Sequence, residues 1–262
     1  MTMKQTLNIQ RLPGYAIVQL DHGKVNAIDE LMARELAEVF EELEADEKVK
    51  GLILAGRPHC FSAGLDVFSL LKGGTAGAKS FWYYYQKALQ AMVRFSKPFV
   101  CAITGYAPAG ATILALAADY RVMGKGLKHV VGMHEFNMSM LIPEMLSDVY
   151  AYHLGEQTAW KYVQQARLFN SDEAKAIGLV DESVEVEEVM ERAQAQLKRL
   201  MKVQLPVYQK SKRYFRKGLL QIVNRDLEQM AGVIAKDAED PAVQESLKQF
   251  LANLKLKSKK PI

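Results

Sequence analysis

A strand, a helix and a largely apolar second strand follow one another early in the chain, and this order constrains the fold more than any other feature. Residues 15–20 show the period-two pattern of a strand. Asp29 is a typical N-cap, and the apolar side chains of residues 30–45 lie on one helical face. Residues 51–55 (GLILA) are typical of a parallel strand that is buried on both faces. The sequence therefore predicts a βαβ crossover and an α/β fold.

The same order repeats once, and the chain then becomes mainly helical. A helix with an aromatic stripe is predicted over residues 78–95, a buried strand over 99–103, and a helix of small residues over 109–118. Beyond residue 150 helices predominate. We expect an α/β core over residues 1–200 and a helical region over residues 201–262. Because this region has little core of its own, it should pack on the body or on another subunit.

Composition excludes several classes of protein. The chain has 262 residues with 34 Lys+Arg against 30 Asp+Glu, so a net charge of +4 gives no nucleic-acid signature. No apolar run approaches the ~20 residues of a membrane span. Cys60 and Cys101 have no partners at metal-ligand spacing, which predicts free thiols, no metal site and a reducing compartment. With no visible targeting segment, we expect the cytoplasm.

Two glycine- and alanine-containing turns follow the two buried strands. They are residues 61–66 (FSAGLD) and 105–111 (GYAPAGA). Ligands of open α/β sheets bind beyond the carboxyl ends of the strands, and small residues leave backbone N–H groups unshielded there. Two such N–H groups could bind an oxyanion. Taken alone, however, these residues are also typical of ordinary tight turns, and this is the interpretation that composition favours.

The order of five short blocks resembles the crotonase (enoyl-CoA hydratase/isomerase) superfamily. The blocks are residues 23–27 (GKVNA), 61–66 (FSAGLD), 105–110 (GYAPAG), 118–122 (ADYRV) and 172–181 (DEAKAIGLVD). The resemblance implies a spiral of ββα turns, a helical C-terminal trimerisation region and a homotrimer or a dimer of trimers. It also implies coenzyme A thioester substrates, with no separate cofactor because coenzyme A is part of the substrate.

The resemblance further implies the roles of individual residues. The backbone N–H groups of Ala63 and Gly110 would hold the thioester oxygen, and the charge of Lys24 would meet a phosphate of coenzyme A. The remaining residues expected to contact substrate lie in the same motifs: Val25, Ser62, Leu65, Asp66 and Ile113.

The acid/base residues distinguish the activities within this superfamily. Hydratases use two glutamates, and Ile113 stands at the first of these positions, while Glu135 matches the second. A single carboxylate suits a proton shuttle, and residues 108–110 with Ile113 resemble the mitochondrial-type 3,2-enoyl-CoA isomerases. The resemblance thus implies an isomerase that converts 3-enoyl-CoA to trans-2-enoyl-CoA through an enolate, with Glu135 as its only acid/base. An apolar pocket should raise the pKa of Glu135 towards neutrality.

Alternative functions remain open at this point. If Glu144 reaches the pocket, a two-carboxylate hydratase, or another acyl-CoA lyase or hydrolase, returns to consideration. The alternative that is not an enzyme is a non-catalytic member of the superfamily that binds coenzyme A or RNA. It would use the basic residues at 210, 212, 213, 216 and 217, although these also fit a solvated helix face.

Overall fold

Strands of this chain form one large sheet and one small sheet. The computed structural model describes residues 4–71 and 73–258. The strands, in chain order, are β1 (Leu7–Leu12), β2 (Tyr15–Leu20), β3 (Leu52–Ala55), β4 (His59–Cys60), β5 (Phe99–Ile103), β6 (Gly105–Pro108), β7 (Tyr120–Gly124), β8 (Val131–Gly132) and β9 (Glu182–Val184). The large sheet has the order β1-β2-β3-β5-β7-β9, and the small one the order β4-β6-β8. Only β1 and β2 pair antiparallel, so the predicted α/β class is confirmed.

Helices cover the sheets and form the C-terminal part of the chain. They are α1 (Glu30–Ala45), α2 (Val67–Leu71), α3 (Gly74–Arg94), α4 (Gly110–Leu116), α5 (Glu144–Leu154), α6 (Glu156–Gln164), α7 (Ser171–Ala176), α8 (Val189–Leu200), α9 (Leu205–Phe215), α10 (Lys217–Val223), α11 (Leu227–Asp237) and α12 (Pro241–Ser258). Two short 3-10 helices, Glu135–Met138 and Val186–Glu188, complete the list. Asp29 caps α1 as predicted, because its side chain accepts a hydrogen bond from the Met32 N–H.

Both faces of the central strands β3 and β5 are buried, which explains why these strands are apolar throughout. Leu52 and Leu54 of β3 pack into the main core with α1 and α3. Ile53, between them, points to the opposite face and packs in a second cluster with Ala193 and Leu197 of α8. Alternate residues of one strand therefore contact helices on opposite sides of the sheet.

Asp119, between α4 and β7, anchors the C-terminal helices to the body. Its carboxylate accepts hydrogen bonds from Lys212 Nζ at 2.7 Å, from Arg216 at 3.0 Å and from the Tyr208 hydroxyl at 2.9 Å. The helices α10 and α11 then pack against α3. The region after residue 200 thus packs on the body of its own chain, while trimerisation stays a prediction.

This anchor corrects one interpretation of the basic residues around position 212. The side chains of Lys212 and Arg216 are only 7% and 13% exposed. They contact Asp119 in the interior, so the five basic residues do not form a continuous solvated row that could follow an RNA backbone. Lys212 pairs with the carboxylate of Asp119, and burial lowers the pKa of the Lys212 ammonium group to about 8.

The two cysteines differ in burial, and neither forms a disulfide, as the sequence predicted. Cys101 is buried and Cys60 is half-buried, and both are free thiols. Within residues 4–71 and 73–258, no helix is long and apolar enough to cross a membrane. The same ranges contain no group of three or more His, Cys, Asp or Glu residues arranged to hold a metal ion.

Candidate active site

The small sheet brings two functional segments to one edge. Strands β6 and β8 lie side by side and parallel, with Ala107 opposite Val131 and Pro108 opposite Gly132. Gly110 follows the end of β6 by two residues, and Glu135 follows the end of β8 by three. Because parallel strands end at the same edge of a sheet, the Gly110 turn and the Glu135 segment are neighbours.

The turn at residues 61–66 contacts the turn at Gly110. Gly64 has a φ of +85°, and a Cβ on it would lie 3.0 Å from the Pro108 oxygen and 3.9 Å from the Gly110 nitrogen. Both the backbone conformation and the close approach favour glycine at this position. The two turns that the sequence placed after separate strands therefore form one site.

Ala63 does not supply a free N–H group to this site. Its N–H donates to the carbonyl of Val25 at 2.9 Å, which ties the 61–66 turn to the 23–27 turn. An N–H that is already bonded inside the fold cannot also hold a ligand oxygen without losing that bond. The prediction that Ala63 forms half of an oxyanion hole was wrong.

Leu65, two residues later, has the free N–H group that Ala63 does not provide. Leu65 forms a parallel bridge with Ile28, in which the Ile28 N–H bonds to the Gly64 oxygen and the Asp66 N–H bonds to the Ile28 oxygen, each at 2.8 Å. In this pattern the Leu65 N–H points away from the bridge. It has no acceptor among the described residues.

Gly110 has a second N–H group without an acceptor, which leaves its predicted role available. It is the first residue of α4, so its N–H has no partner within the helix, and it has no acceptor elsewhere in the described chain. The preceding residue, Ala109, adopts φ 54° and ψ −126°, a conformation that is costly for a residue with a Cβ. Its own N–H is bonded to the Gly132 oxygen at 2.8 Å, which holds the strained turn in place.

Tyr85 and Leu65 close around Gly110 and leave no room for a side chain there. A Cβ on Gly110 would lie 2.6 Å from Leu65 Cδ2 and 3.1 Å from the Tyr85 hydroxyl oxygen. That hydroxyl donates to the Gly110 carbonyl at 2.8 Å. The aromatic stripe predicted on α3 therefore has one member, Tyr85, that supports the site directly.

Glu135 is a buried carboxyl group beside these turns. It is 5% exposed, and its Oε2 atom has no hydrogen-bond partner. Burial raises the pKa of Glu135 to about 7, against an ordinary value of 4.5, and main-chain hydrogen bonds oppose this rise. Burial raises the pKa values of Tyr85 and Tyr150, and the charge of Glu135 adds to both shifts.

Thr112 fixes the distance between the Gly110 turn and the Glu135 segment. Its hydroxyl donates to the Ala107 carbonyl at 2.6 Å and accepts from the Gly132 N–H at 2.8 Å. With the Ala109 N–H bonded to Gly132, two hydrogen bonds join the start of α4 to the end of β8. This role of Thr112 was not predicted from the sequence.

No second carboxyl group joins Glu135 in the described part of the chain. Ile113 is fully buried where a hydratase would have its first glutamate. Glu144 pairs with Arg225 at 3.0 Å and has a 74% exposed side chain, so it faces solvent. No charged neighbour contributes to the pKa of Glu135. The described part of the site therefore contains one carboxyl group, that of Glu135.

Of the other predicted site residues, some are hydrogen-bonded within the fold and others lie at the surface. Ser62 is fully buried, where its hydroxyl donates to the Asn26 oxygen at 2.6 Å and accepts from the Gly64 N–H at 3.1 Å. Ser62 therefore holds the turn and does not face a ligand, which corrects its assignment. Asp66 accepts hydrogen bonds from residues 68 and 69 at the start of α2 and is also committed to the fold.

Lys24 and Val25 lie at the surface of the 23–27 turn. Lys24 is exposed and Val25 is 42% exposed. The carbonyl of Val25 is the acceptor for Ala63, so this turn is hydrogen-bonded to the turn that carries Leu65. A ligand that extends from the buried site to solvent could contact both the 23–27 turn and the turn that carries Leu65.

Comparisons with known proteins identify the family of the chain. The family model described as enoyl-CoA hydratase/isomerase matches residues 13–260. Mitochondrial enoyl-CoA delta isomerase 1 of Mus musculus is 30% identical over 249 residues, which cover 93% of this chain and 85% of the mouse protein. A probable enoyl-CoA hydratase, EchA17, of Mycobacterium avium is 33% identical over 190 residues and 72% of each chain.

A solved structure resembles the whole chain. The crystal structure of human mitochondrial delta3-delta2-enoyl-CoA isomerase matches with a TM-score of 0.92 and 26% identity, and it covers 98% of this chain and 100% of the human chain. The crotonase-like fold and the family resemblance predicted from the five sequence blocks are therefore confirmed.

Proposed function

Because the chain belongs to the enoyl-CoA hydratase/isomerase family, we propose that it is a 3,2-enoyl-CoA isomerase. It moves the double bond of a 3-enoyl-CoA thioester to the C2–C3 position and gives trans-2-enoyl-CoA. The observation that carries this proposal is the single buried carboxyl of Glu135 beside two unpaired N–H groups. Hydration of a double bond would need a second group to orient water, and Ile113 cannot do so.

The N–H groups of Leu65 and Gly110 bind the thioester oxygen in this proposal. Removal of a proton from C2 places negative charge on that oxygen, and preorganised donors stabilise the enolate more than the ground state. Loss of one such donor costs about 10²- to 10³-fold in rate in other enzymes. Because the donors are backbone N–H groups, the motifs need small residues only where chain segments approach each other closely, as at Gly64 and Gly110.

Glu135 transfers the proton. Its carboxylate takes a proton from C2, and the resulting acid returns a proton to C4, so the carboxyl group ends in its starting state. A pKa of about 7 suits both steps, because a base of this strength is half ionised near neutral pH. The reaction is an isomerisation that consumes no co-reactant, and in this proposal coenzyme A enters only as part of the substrate.

Coenzyme A extends from the buried site to the 23–27 turn in this proposal. The thioester lies at Leu65 and Gly110, and the hydrogen bond between Ala63 and Val25 links that position to the exposed Lys24. A lysine ammonium at the surface is a point charge suited to a phosphate group. Fatty-acid breakdown would supply such substrates. A homotrimer or dimer of trimers and a cytoplasmic location stay predictions, and the mouse relative is a mitochondrial protein.

The activity is tested with two substrates and two matched variants. Purified protein is incubated with 3-hexenoyl-CoA and with trans-2-hexenoyl-CoA, and ultraviolet absorbance follows the conjugated product. We expect absorbance to rise with the first substrate and no 3-hydroxyacyl-CoA to form from the second. Glu135→Gln should lose at least about 10²-fold in turnover, because it removes the general acid/base. Glu144→Gln, on the exposed carboxylate, should keep the wild-type rate.

Two outcomes would contradict the proposal. Formation of 3-hydroxyacyl-CoA from the 2-enoyl substrate would identify a hydratase, the function named for the Mycobacterium avium relative. Normal isomerase turnover by Glu135→Gln would remove Glu135 from the mechanism.

A further inference from the structure

A cavity of about 290 Å³ lies between α2 and α3 on one side and α11 and α12 on the other. Its inner part is lined by buried apolar side chains, those of Leu70, Ala78, Trp82 and Ala235. Gln244 and Lys248 of α12 also line it, and both are exposed. The cavity therefore has an apolar inner end and a polar end at the surface, an arrangement suited to a ligand with an apolar chain.

Trp82 connects this cavity to the turn at Gly110. The Tyr85 hydroxyl donates to the Gly110 carbonyl at 2.8 Å, and the rings of Tyr85 and Trp82 pack edge to face with centroids 5.8 Å apart. On the other side, Leu65 closes on Gly110, and Leu70 follows it in the same segment at the end of the cavity wall. The segments that surround the free N–H groups thus continue into the walls of the cavity.

One face of α3 runs along the cavity. Positions 74, 78, 82 and 85 are three or four residues apart, so they lie on the same face of this helix. At a rise of 1.5 Å per residue, this face extends about 16 Å from position 85 to position 74. Aromatic rings stand at the Gly110 end of the face, and alanine and glycine stand at the other end. Because α11 packs against α3 and contributes small residues such as Ala238, space remains between the two helices.

A second cavity, beside the segment of Glu135, is less suited to an apolar chain. It has a volume of about 310 Å³ and is lined in part by Phe136 and Trp160, which are 43% and 54% exposed. Asp148 and Glu156 line it as well. An alkyl chain beside these carboxylates would displace water from them without offering a hydrogen bond in return. The cavity at Trp82 is the better match for an apolar ligand.

We propose that the cavity at Trp82 receives the acyl chain of the substrate beyond C4, and that Ala78 and Ala238 determine a preference for long chains. The inference rests on the proposed function, in which the thioester oxygen lies at Leu65 and Gly110. A short acyl chain ends beside Trp82. A longer chain passes Trp82 and fills the apolar part of the cavity, where each additional buried methylene raises the affinity about fourfold.

Binding of saturated acyl-CoA thioesters tests the inference without turnover. Isothermal titration calorimetry compares the affinities for hexanoyl-CoA and decanoyl-CoA. We expect the wild type to bind decanoyl-CoA about 10- to 100-fold more tightly, because its additional methylenes are buried in the cavity.

Substitutions that fill the cavity should remove this preference. In Ala78→Leu and in Ala238→Leu the larger side chain occupies the space, so the ratio of the two affinities should fall close to unity while hexanoyl-CoA binds as in the wild type. Ala151→Leu is the matched control, since Ala151 lines the second cavity, and it should keep the wild-type ratio. Ala238→Leu, on the opposite helix, decides the matter if Ala78→Leu does not fold.

Three results would overturn the inference. They are equal affinities of the wild type for the two thioesters, a preference for decanoyl-CoA that both cavity substitutions leave intact, and a preference that is lost in Ala151→Leu instead. Failure of the proposed function would look different, because a wild-type protein without isomerase activity still gives the ratio of the two binding affinities.

Discussion

Glu135→Gln should make the protein more stable at neutral and alkaline pH while it abolishes turnover. The wild-type carboxyl group is buried, and burial favours its neutral form. Glutamine has nearly the same shape and never carries the charge. The substitution therefore removes a cost that the folded protein bears only when Glu135 is ionised.

The size of the effect follows from the pKa of Glu135. A rise from 4.5 in the unfolded chain to about 7 in the folded protein corresponds to about 3 kcal/mol. Below pH 4.5 Glu135 is largely protonated in both the folded and the unfolded protein, so the wild type loses no stability. As the pH rises towards 7 the unfolded chain ionises first, so the wild type progressively loses stability, and above pH 7 the full loss is present. Between pH 5 and pH 8 the variant should gain about 2 kcal/mol over the wild type.

Urea unfolding at a series of pH values measures this difference. The free energy of unfolding is compared between wild type and Glu135→Gln at pH 5, 6, 7 and 8, with Glu144→Gln as the control. The exposed Glu144 should give a difference that changes little with pH. A difference for Glu135→Gln that is constant across this range would refute the reasoning, since it would mean that the buried carboxyl group titrates as in the unfolded chain.

Three further substitutions test the supports of the site. Thr112→Val should cost about 1–3 kcal/mol in unfolding free energy and lower kcat, since it leaves a buried N–H unpaired between α4 and β8. Gly110→Ala should lower kcat/KM by about 10- to 100-fold in the isomerase assay, because the new Cβ lies 2.6 Å from Leu65 Cδ2 and displaces an N–H donor; an unchanged rate would contradict that geometry. Asp119→Ala should cost about 3–5 kcal/mol, because Lys212 and its neighbouring arginine stay buried without their partner, and limited proteolysis should then cleave within the C-terminal helices.

The sequence alone predicted the buried strands of the main sheet and the positions of the two turns, and the family resemblance predicted Glu135 as the acid/base. Buried parallel strands must be apolar on both faces, and such runs are visible without coordinates at residues 51–55 and 99–103. The turns are marked by glycine and alanine because their backbone must approach another chain segment. Glu135 was assigned through the family resemblance, because it stands where hydratases of the superfamily have their second glutamate.

Tertiary structure alone decided which backbone and side-chain atoms are free to act. Ala63 and Leu65 lie in the same motif, and only the pairing of this turn with residues 25 and 28 shows that the first N–H is bonded and the second is not. The strand β6 was predicted as part of a turn, because two to four paired residues leave too short a pattern to detect. The ion pair between Glu144 and Arg225 shows that the Glu144 carboxylate lies outside the site.

The physical reason for this division is the range of the interactions involved. Burial and local backbone conformation select residue types along a strand or turn, so they leave a periodic or compositional pattern in the sequence. Hydrogen bonds between distant segments use backbone atoms that every residue carries, and ion pairs such as those of Asp119 use side chains that are common on any surface. Which of these atoms meet depends on the packing of segments far apart in the chain, and only the folded structure brings them together.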